Sequence, residues 1–119
     1  MNYEPRIEIS HEGRIVVAEL QDEEILEEAI INEVADSLFS VVADTPQIKL
    51  LLSFEKVKYL SSSALGMLIR LNKRVEENGG TLKLCQLRKS LYEIFAITKL
   101  DRLFESYDEK NTAVSSFGT

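Results

Sequence analysis

Three consecutive serines, Ser61, Ser62 and Ser63, are the side chains of this sequence best placed to do chemistry. They stand between an apolar segment and a stretch with helical periodicity, so we expect them at the N-terminus of a helix. Backbone N–H groups are unpaired there and the helix dipole is positive, and both features favour a hydroxyl or a phosphate. The serines are therefore the candidate functional surface.

Nucleotide binding and catalysis find little support in these residues. A P-loop needs glycines and a lysine directly before its Ser/Thr, and this segment has neither. No G-x-S-x-G pattern is present, and the one histidine, His11, is expected in a distant, solvated turn, so a hydrolase using Ser62 would lack a base. A single helix cap explains only one of the three serines, and it stabilises the helix by about 1 kcal/mol. Pure capping and a functional serine both remain open, and we expect no enzyme.

Two other groups of side chains are open to a chemical interpretation. Cys85 is the only cysteine, so it forms no internal disulfide, and we expect a small buried hydrophobic residue rather than a reactive thiol. Asp22, Glu23 and Glu24 are expected in the first turn of a helix, where the dipole favours acidic residues. Metal binding is the alternative for this acidic cluster, and we predict neither a metal nor a cofactor.

Length and charge limit the class of protein. A chain of 119 residues with 45% apolar composition is expected to form one domain over residues 1–119, with a core over about 7–117. Its 20 acidic and 14 basic residues give a formal charge of −6, which argues against nucleic acid as a partner. Neither a bilayer-spanning apolar run nor a signal-peptide pattern is found, so we predict a cytoplasmic protein without membrane contact.

The hydrophobic pattern predicts alternating strands and helices. Two β-type runs, Arg6–Ser10 and Arg14–Leu20, should pair antiparallel across a turn containing Gly13, and the apolar run Ile48–Phe54 suits a central strand. The remaining predicted elements are a helix from about Gln21 with the stripe Leu26, Ile30, Val34, Leu38 and Val41, ending before Thr45-Pro46; a helix after the serines with the stripe Ala64, Leu65, Leu68, Leu71 and Val75, ending at Asn78-Gly79-Gly80; a strand Thr81–Leu87; a helix Ser90–Ala96; a strand Leu103–Tyr107; and a terminal helix capped by Asp108.

This order, β-β-α-β-α-β-α-β-α, predicts an α/β fold with one mixed β-sheet and helices packed against it. Right-handed crossovers make the later strands parallel, and the opening hairpin adds an antiparallel edge. Functional sites of such sheets lie at the carboxyl ends of the strands, where Ile48–Phe54 leads towards the serines. Gly66, inside the second helix, suggests close packing of that helix on its neighbour.

The sequence resembles a STAS domain of the bacterial anti-sigma factor antagonist type. The resemblance rests on the order of elements, on Leu60-Ser61-Ser62-Ser63-Ala64-Leu65-Gly66, on Asn78 to Leu84 and on Ile94 to Leu100, and it extends from about Ile7 to Phe117. In that family the motif commonly reads Asp-Ser-Ser-Gly-Leu-Gly, with the first serine as phosphorylation site. Laid onto this chain, Ser61 takes the place of the aspartate and Ser62 that of the phosphoacceptor.

The resemblance implies partner switching in the control of transcription. The unphosphorylated domain binds an anti-sigma factor, often itself a serine kinase, and phosphorylation of Ser62 by that partner breaks the complex until a phosphatase restores it. The partner-binding residues implied are Ser61, Ser62, Ser63, Ala64, Leu65 and Gly66. The alternative is a STAS domain that scaffolds a signalling complex without phosphorylation of Ser62.

Overall fold

The computed structural model describes residues 5–118. A five-stranded sheet and a separate two-stranded ladder are combined with four α-helices and one turn of 3-10 helix. In chain order the elements are β1 (Ile7–Glu12), β2 (Ile15–Leu20), β3 (Glu24–Ile25), α1 (Glu28–Asp44), β4 (Lys49–Ser53), β5 (Tyr59–Leu60), α2 (Ser62–Glu77), β6 (Thr81–Cys85), α3 (Lys89–Ile97), the 3-10 turn (Leu100–Arg102), β7 (Glu105–Tyr107) and α4 (Lys110–Ser116).

The sheet confirms the predicted mixed topology. Its strand order is β1-β2-β4-β6-β7, with β1 antiparallel to β2 and the other neighbours parallel. The central strand β4 is buried from Leu50 to Ser53, as its continuous apolar run predicts. Alternate residues of the strands serve two cores, because successive side chains point to opposite faces. One face packs against α1, α2 and α3, and the other carries α4.

The opening hairpin pairs as predicted, but its turn is shorter. Glu12 pairs with Ile15, so the connection consists of Gly13 and Arg14, and Gly13 has a φ of +61°. His11 therefore lies in β1, opposite Val16, and the prediction of a turn position was wrong. The antiparallel ladder continues through His11 and Glu12 because the two-residue turn leaves both strands in register.

The start of α1 also differs from the prediction. α1 begins at Glu28, so Asp22, Glu23 and Glu24 do not form its first turn. Glu24 and Ile25 are extended instead and pair in parallel with Tyr59 and Leu60. The predicted apolar stripe is right in its centre and shifted at its ends: the buried residues of α1 are Ile31, Val34, Leu38 and Val42, and Leu26 is 44% exposed. The predicted end of the helix before Thr45-Pro46 is confirmed.

Two glycines near α2 have roles that differ from the prediction. A Cβ on Gly66 would contact only the Arg70 guanidinium, at 3.6 Å, so this glycine is not required by helix packing and that expectation was wrong. The close approach occurs at Gly80, where a Cβ would lie 2.4 Å from the carbonyl oxygen of Ile48. Gly79 ends α2 with a φ of +74°, as the Asn-Gly-Gly pattern indicates. The missing side chain of Gly80 therefore allows the start of β6 to lie close to the start of β4.

Lys83 attaches α4 to the second face of the sheet. Its ammonium group donates to the carbonyl oxygen and the hydroxyl of Ser116, at 2.9 and 3.0 Å, and pairs with Glu105 at 3.1 Å. It also lies 4.9 Å from the ring centroid of Phe117 and 5.7 Å from that of Tyr107. A cation at the last carbonyls of a helix is favourable, so this buried lysine stabilises the end of α4.

The ends of the last elements show two further differences. The residue before α4 is Glu109, without a side-chain cap, so the predicted Asp108 cap was wrong. The strand predicted over Thr81–Leu87 ends at Cys85, because Gln86 adopts a φ of +61°.

None of the helices within residues 5–118 combines the length and the apolarity needed to cross a lipid bilayer.

Candidate functional site

The serine segment lies beyond the carboxyl end of β4, as predicted. After Ser53 the N–H of Phe54 donates to the carbonyl of Cys85 at 3.0 Å, and the chain then turns through the exposed Glu55 and Lys56. Val57 follows with its N–H on the carbonyl of Phe54, also at 3.0 Å. Both apolar side chains are fully buried, so they hold the lead-in to the serines against the core.

Main-chain hydrogen bonds tie this lead-in to the segment before α1. The N–H groups of Lys58 and Tyr59 donate to the carbonyl of Glu23 at 2.8 and 3.1 Å, and the N–H of Ser61 donates to the carbonyl of Ile25 at 3.2 Å. The short β3–β5 ladder therefore sets where α2 begins. Sequence analysis did not find this support, because main-chain groups leave no signal in the pattern of side chains.

The three serines have different roles at the start of α2. Ser61 is extended, with φ −86° and ψ 168°, and its hydroxyl accepts the N–H of Ala64 at 3.1 Å. It is therefore the N-cap of α2. Ser62 and Ser63 are exposed, so capping does not account for them. The Ser62 hydroxyl is positioned in solvent at the positive end of a helix of 16 residues.

The remaining residues of the segment anchor it to the core. Ala64 is fully buried and Leu65 is half-buried against the main core. Gly66 is half-buried, and its missing side chain leaves room beside the Arg70 guanidinium. Residues 61–66 thus form the N-cap and the first turn and a half of α2. Ser62 and Ser63 face solvent, and Ala64 and Leu65 pack against the core.

The charges around Ser62 are compatible with an added anion. The first turn of α2 contains no acidic residue. Directly before the ladder, Glu23 pairs with Lys58 at 3.3 Å, and Glu24 within the ladder is exposed. Tyr59 in the ladder and Leu26 directly after it add exposed apolar surface, at 58% and 44% exposure. A phosphate at Ser62 would therefore meet backbone donors and the helix dipole without a like charge in its own turn.

His11 lies away from the serines, and the thiol of Cys85 is buried. His11 is on the edge strand β1, near the end of the sheet where β4 begins, whereas the serines follow the end at which β4 finishes. Cys85 is fully buried, and burial raises the pKa of its thiol to about 11. The thiol therefore behaves as a small buried hydrophobic group, as predicted from sequence.

Comparison with known proteins identifies the family. The STAS domain model matches residues 6–113, so the chain belongs to the STAS domain family. Among solved structures, an anti-sigma-factor antagonist (STAS) domain protein from Planctomyces limnophilus is 22% identical, with a TM-score of 0.86 over 95% of this chain and 98% of that chain. An anti-sigma factor antagonist from Mycobacterium paratuberculosis is 19% identical, with a TM-score of 0.80 over 92% and 91% of the two chains.

A third solved structure is similar in fold. The Bacillus cell fate determinant SpoIIAA in its phosphorylated form is 14% identical, with a TM-score of 0.70 over 93% of this chain and 98% of that chain. At these identities the likeness concerns the fold, and the predicted α/β class and STAS membership are confirmed. The role of Ser62 stays a prediction.

Proposed function

We propose that this STAS domain is an anti-sigma factor antagonist that acts by partner switching. The unphosphorylated domain binds an anti-sigma factor. That partner, acting as a serine kinase, phosphorylates Ser62 and is released, and a phosphatase returns the domain to its binding state. The domain is a binding module and a substrate rather than an enzyme.

The observation that carries this proposal is that the neighbouring serines Ser61 and Ser62 have different structural roles. Ser61 provides the cap, so the exposed Ser62 hydroxyl is left for modification. A phosphate adds close to two negative charges, and the N-terminus of α2 tolerates them. Phosphorylation would then weaken the complex with the partner, because the doubly charged phosphate would lose its water at the interface without gaining a matching cation. A fold neighbour described in its phosphorylated form supports the same interpretation.

The first experiment identifies the partner and tests its release. The wild-type chain and Ser62→Asp are used as baits with extract from the source cell, and proteins retained only by the wild type are identified. We expect an ATP-binding anti-sigma factor among them. Circular dichroism and thermal melting should show that Ser62→Asp is folded. A melted variant, or one that retains the same partner as tightly as the wild type, contradicts the proposal.

The second experiment locates the phosphate. The purified partner and ATP are incubated with the wild-type chain, Ser62→Ala and Ser63→Ala, and phosphate is mapped by mass spectrometry. We expect modification at Ser62 in the wild type and in Ser63→Ala, and none in Ser62→Ala. Ser63→Ala is the matched control because Ser63 is also exposed and lies one residue away.

A scaffold function without phosphorylation is the second candidate. It is favoured by Ser61, which stands where the family commonly has an aspartate next to the acceptor. In this case the partner binds the wild type and Ser62→Asp alike, and incubation with ATP leaves Ser62 unmodified.

A further inference from the structure

The outer side of β1 is an open edge of the five-stranded sheet. In the part of the chain that the structure describes, β1 comes first in the strand order and pairs only with β2. Its residues from Glu8 to Glu12 are all exposed. An open edge presents unpaired main-chain N–H and C=O groups, which are able to pair with a further strand. The edge is therefore a candidate interaction surface.

The hydrogen bonds to β2 show which main-chain groups of β1 are free. The N–H of Gln21 donates to the carbonyl of Arg6 at 3.0 Å, so Arg6 directs this group towards β2. In an antiparallel pair the orientation alternates, so every second residue from Arg6 to Glu12 also faces β2. The residues between them direct both main-chain groups outwards. These outward residues are Ile7, Ile9 and His11.

β1 lacks most of the features that prevent pairing at a sheet edge. Such edges are commonly protected by Lys or Pro within the strand, by a bulge or by a covering segment. The strand Ile7–Glu12 contains neither residue type, and its register with β2 is unbroken. Ile9 presents an apolar side chain that is 38% exposed. A strand that binds here gains main-chain hydrogen bonds and an apolar contact.

Charge selects among the registers in which β1 pairs with a second copy of itself. A two-fold axis must pass at a residue that pairs with its own copy, which near the middle of β1 is Glu8, Ile9 or Ser10. An axis at Glu8 opposes two carboxylates, and an axis at Ser10 places Glu8 opposite Glu12. An axis at Ile9 places Glu8 opposite Ser10 instead. Glu12 then lies opposite the basic Arg6, so only this register avoids directly opposed carboxylates.

We propose that a second copy of this chain pairs antiparallel with β1 about a two-fold axis at Ile9. The two five-stranded sheets then form one continuous sheet, in which the two Ile9 residues are the central hydrogen-bonded pair. The carboxyl ends of β4 in the two copies point in opposite directions, so both serine segments stay accessible. The pairing does not involve Ser62 and is independent of the proposed switch. A contact made by one strand from each copy is small, so the dimer is weak.

Sedimentation velocity at increasing protein concentration tests the association. We expect the wild type to be monomeric at about 5 µM and to contain dimer at about 500 µM. The formal charge of −6 on each copy opposes the contact, so the dimer should increase when salt is raised from about 20 to about 500 mM. A monomer under all these conditions, or a dimer that decreases with salt, overturns the proposal.

Ile9→Pro removes the central donor of the edge and keeps the hydrogen bonds between β1 and β2. The N–H of Ile9 points outwards, so we expect this variant to have the circular dichroism spectrum of the wild type. It should stay monomeric at the concentration at which the wild type dimerises. The matched control is Ile9→Val, which keeps the N–H and a β-branched side chain and should dimerise. A folded Ile9→Pro that still dimerises overturns the assignment to this edge.

A cysteine cross-link tests the register without the proline variant. Across the proposed axis, Glu8 and Ser10 form a non-hydrogen-bonded pair with Cα atoms about 4.5 Å apart, a distance that a disulfide spans. We expect a mixture of Glu8→Cys and Ser10→Cys to cross-link at least about fivefold faster under mild oxidation than either variant alone, whose cysteines would be diagonal neighbours. The native Cys85 is buried and takes no part. Faster cross-linking of either variant with itself overturns the proposed pairing.

Discussion

The hydroxyl of Ser61 accepts the backbone N–H of Ala64 at 3.1 Å, so the first turn of α2 is closed by the residue directly before Ser62. An aspartate at this position would accept the same N–H. The serine therefore keeps the geometry of the turn while it removes one negative charge beside the proposed phosphoacceptor. The departure from the common motif of the family changes charge and leaves the backbone in place.

Removal of this cap should destabilise the domain. We expect Ser61→Ala to lower the free energy of unfolding by about 1 kcal/mol, because the N–H of Ala64 loses its acceptor. Ser61→Asp should be at least as stable as the wild type, since a carboxylate caps and also favours the dipole. Urea unfolding followed by circular dichroism measures both. Ser63→Ala is the control and should change stability by less than about 0.5 kcal/mol, and an equal loss there would contradict the cap.

Two glycines should respond to alanine in opposite directions. Gly80→Ala places a methyl group 2.4 Å from the Ile48 carbonyl oxygen, and backbone must shift to accept it, so we expect a loss of about 2 kcal/mol. Gly66→Ala meets no backbone obstacle and should gain up to about 1 kcal/mol from helix propensity. Parallel urea unfolding of the two variants gives the signs. Changes of the same sign would show that one of these environments is misassigned.

The ion pair on α4's side of the sheet should make stability depend on pH. Hydrogen bonds from Lys83 and then from the Tyr107 hydroxyl lower the pKa of Glu105 below its ordinary value. A carboxyl with a lowered folded pKa stabilises the fold above its unfolded pKa of about 4.3, and this contribution is lost as the pH falls through the folded pKa. Stability should therefore decrease on acidification below about pH 4.3.

Substitution of Glu105 isolates this effect. We expect Glu105→Gln to reduce the acid-induced loss of unfolding free energy, measured by urea unfolding between about pH 3 and pH 6. Glu93→Gln, an exposed carboxyl on α3, should leave the pH profile as it is in the wild type. Identical profiles for all three proteins would argue against a role of the Lys83 contacts in solution.

Cys85 should be unreactive in the folded protein. Its thiol has a pKa of about 11, chiefly through burial, so little thiolate is present near neutral pH. We expect an aromatic disulfide reagent at pH 8 to label the native chain only as fast as the chain opens, and to label it at once in urea. Native labelling at the rate of a free cysteine would contradict the burial of this side chain.

The sequence predicted the fold wherever burial leaves a continuous or periodic pattern. The run Leu50 to Leu52 marks the central strand because both faces of β4 are covered, and Val34 and Leu38 mark α1 because one side of the helix is buried. The segment Asp22–Glu24 was misread because acidic residues before an apolar helical pattern resemble a first helical turn, whereas Glu24 in fact pairs with Tyr59 in the short ladder. Its actual partner, Tyr59–Leu60, lies far along the chain, where local periodicity carries no information.

The candidate site was predictable in place and less so in detail. A run of serines before an apolar helical pattern indicates a cap, but the identity of the capping serine depends on the dihedral angles of Ser61, which its neighbours in space determine. The same limit explains the glycines. Gly66 and Gly80 are alike as letters in a sequence, and only the position of the Ile48 carbonyl shows which of them lacks room for a side chain.

The β3–β5 ladder has a consequence for the evolution of such domains. The carbonyl groups of Glu23 and Ile25 accept main-chain N–H groups of Lys58, Tyr59 and Ser61, and the exposed Lys58–Glu23 ion pair is the side-chain contact beside them. Because almost every amino acid provides these atoms, the side chains on both segments are able to diverge without displacing Ser62. The surface around the start of α2 can in this way vary between related domains while the start of the helix keeps its position.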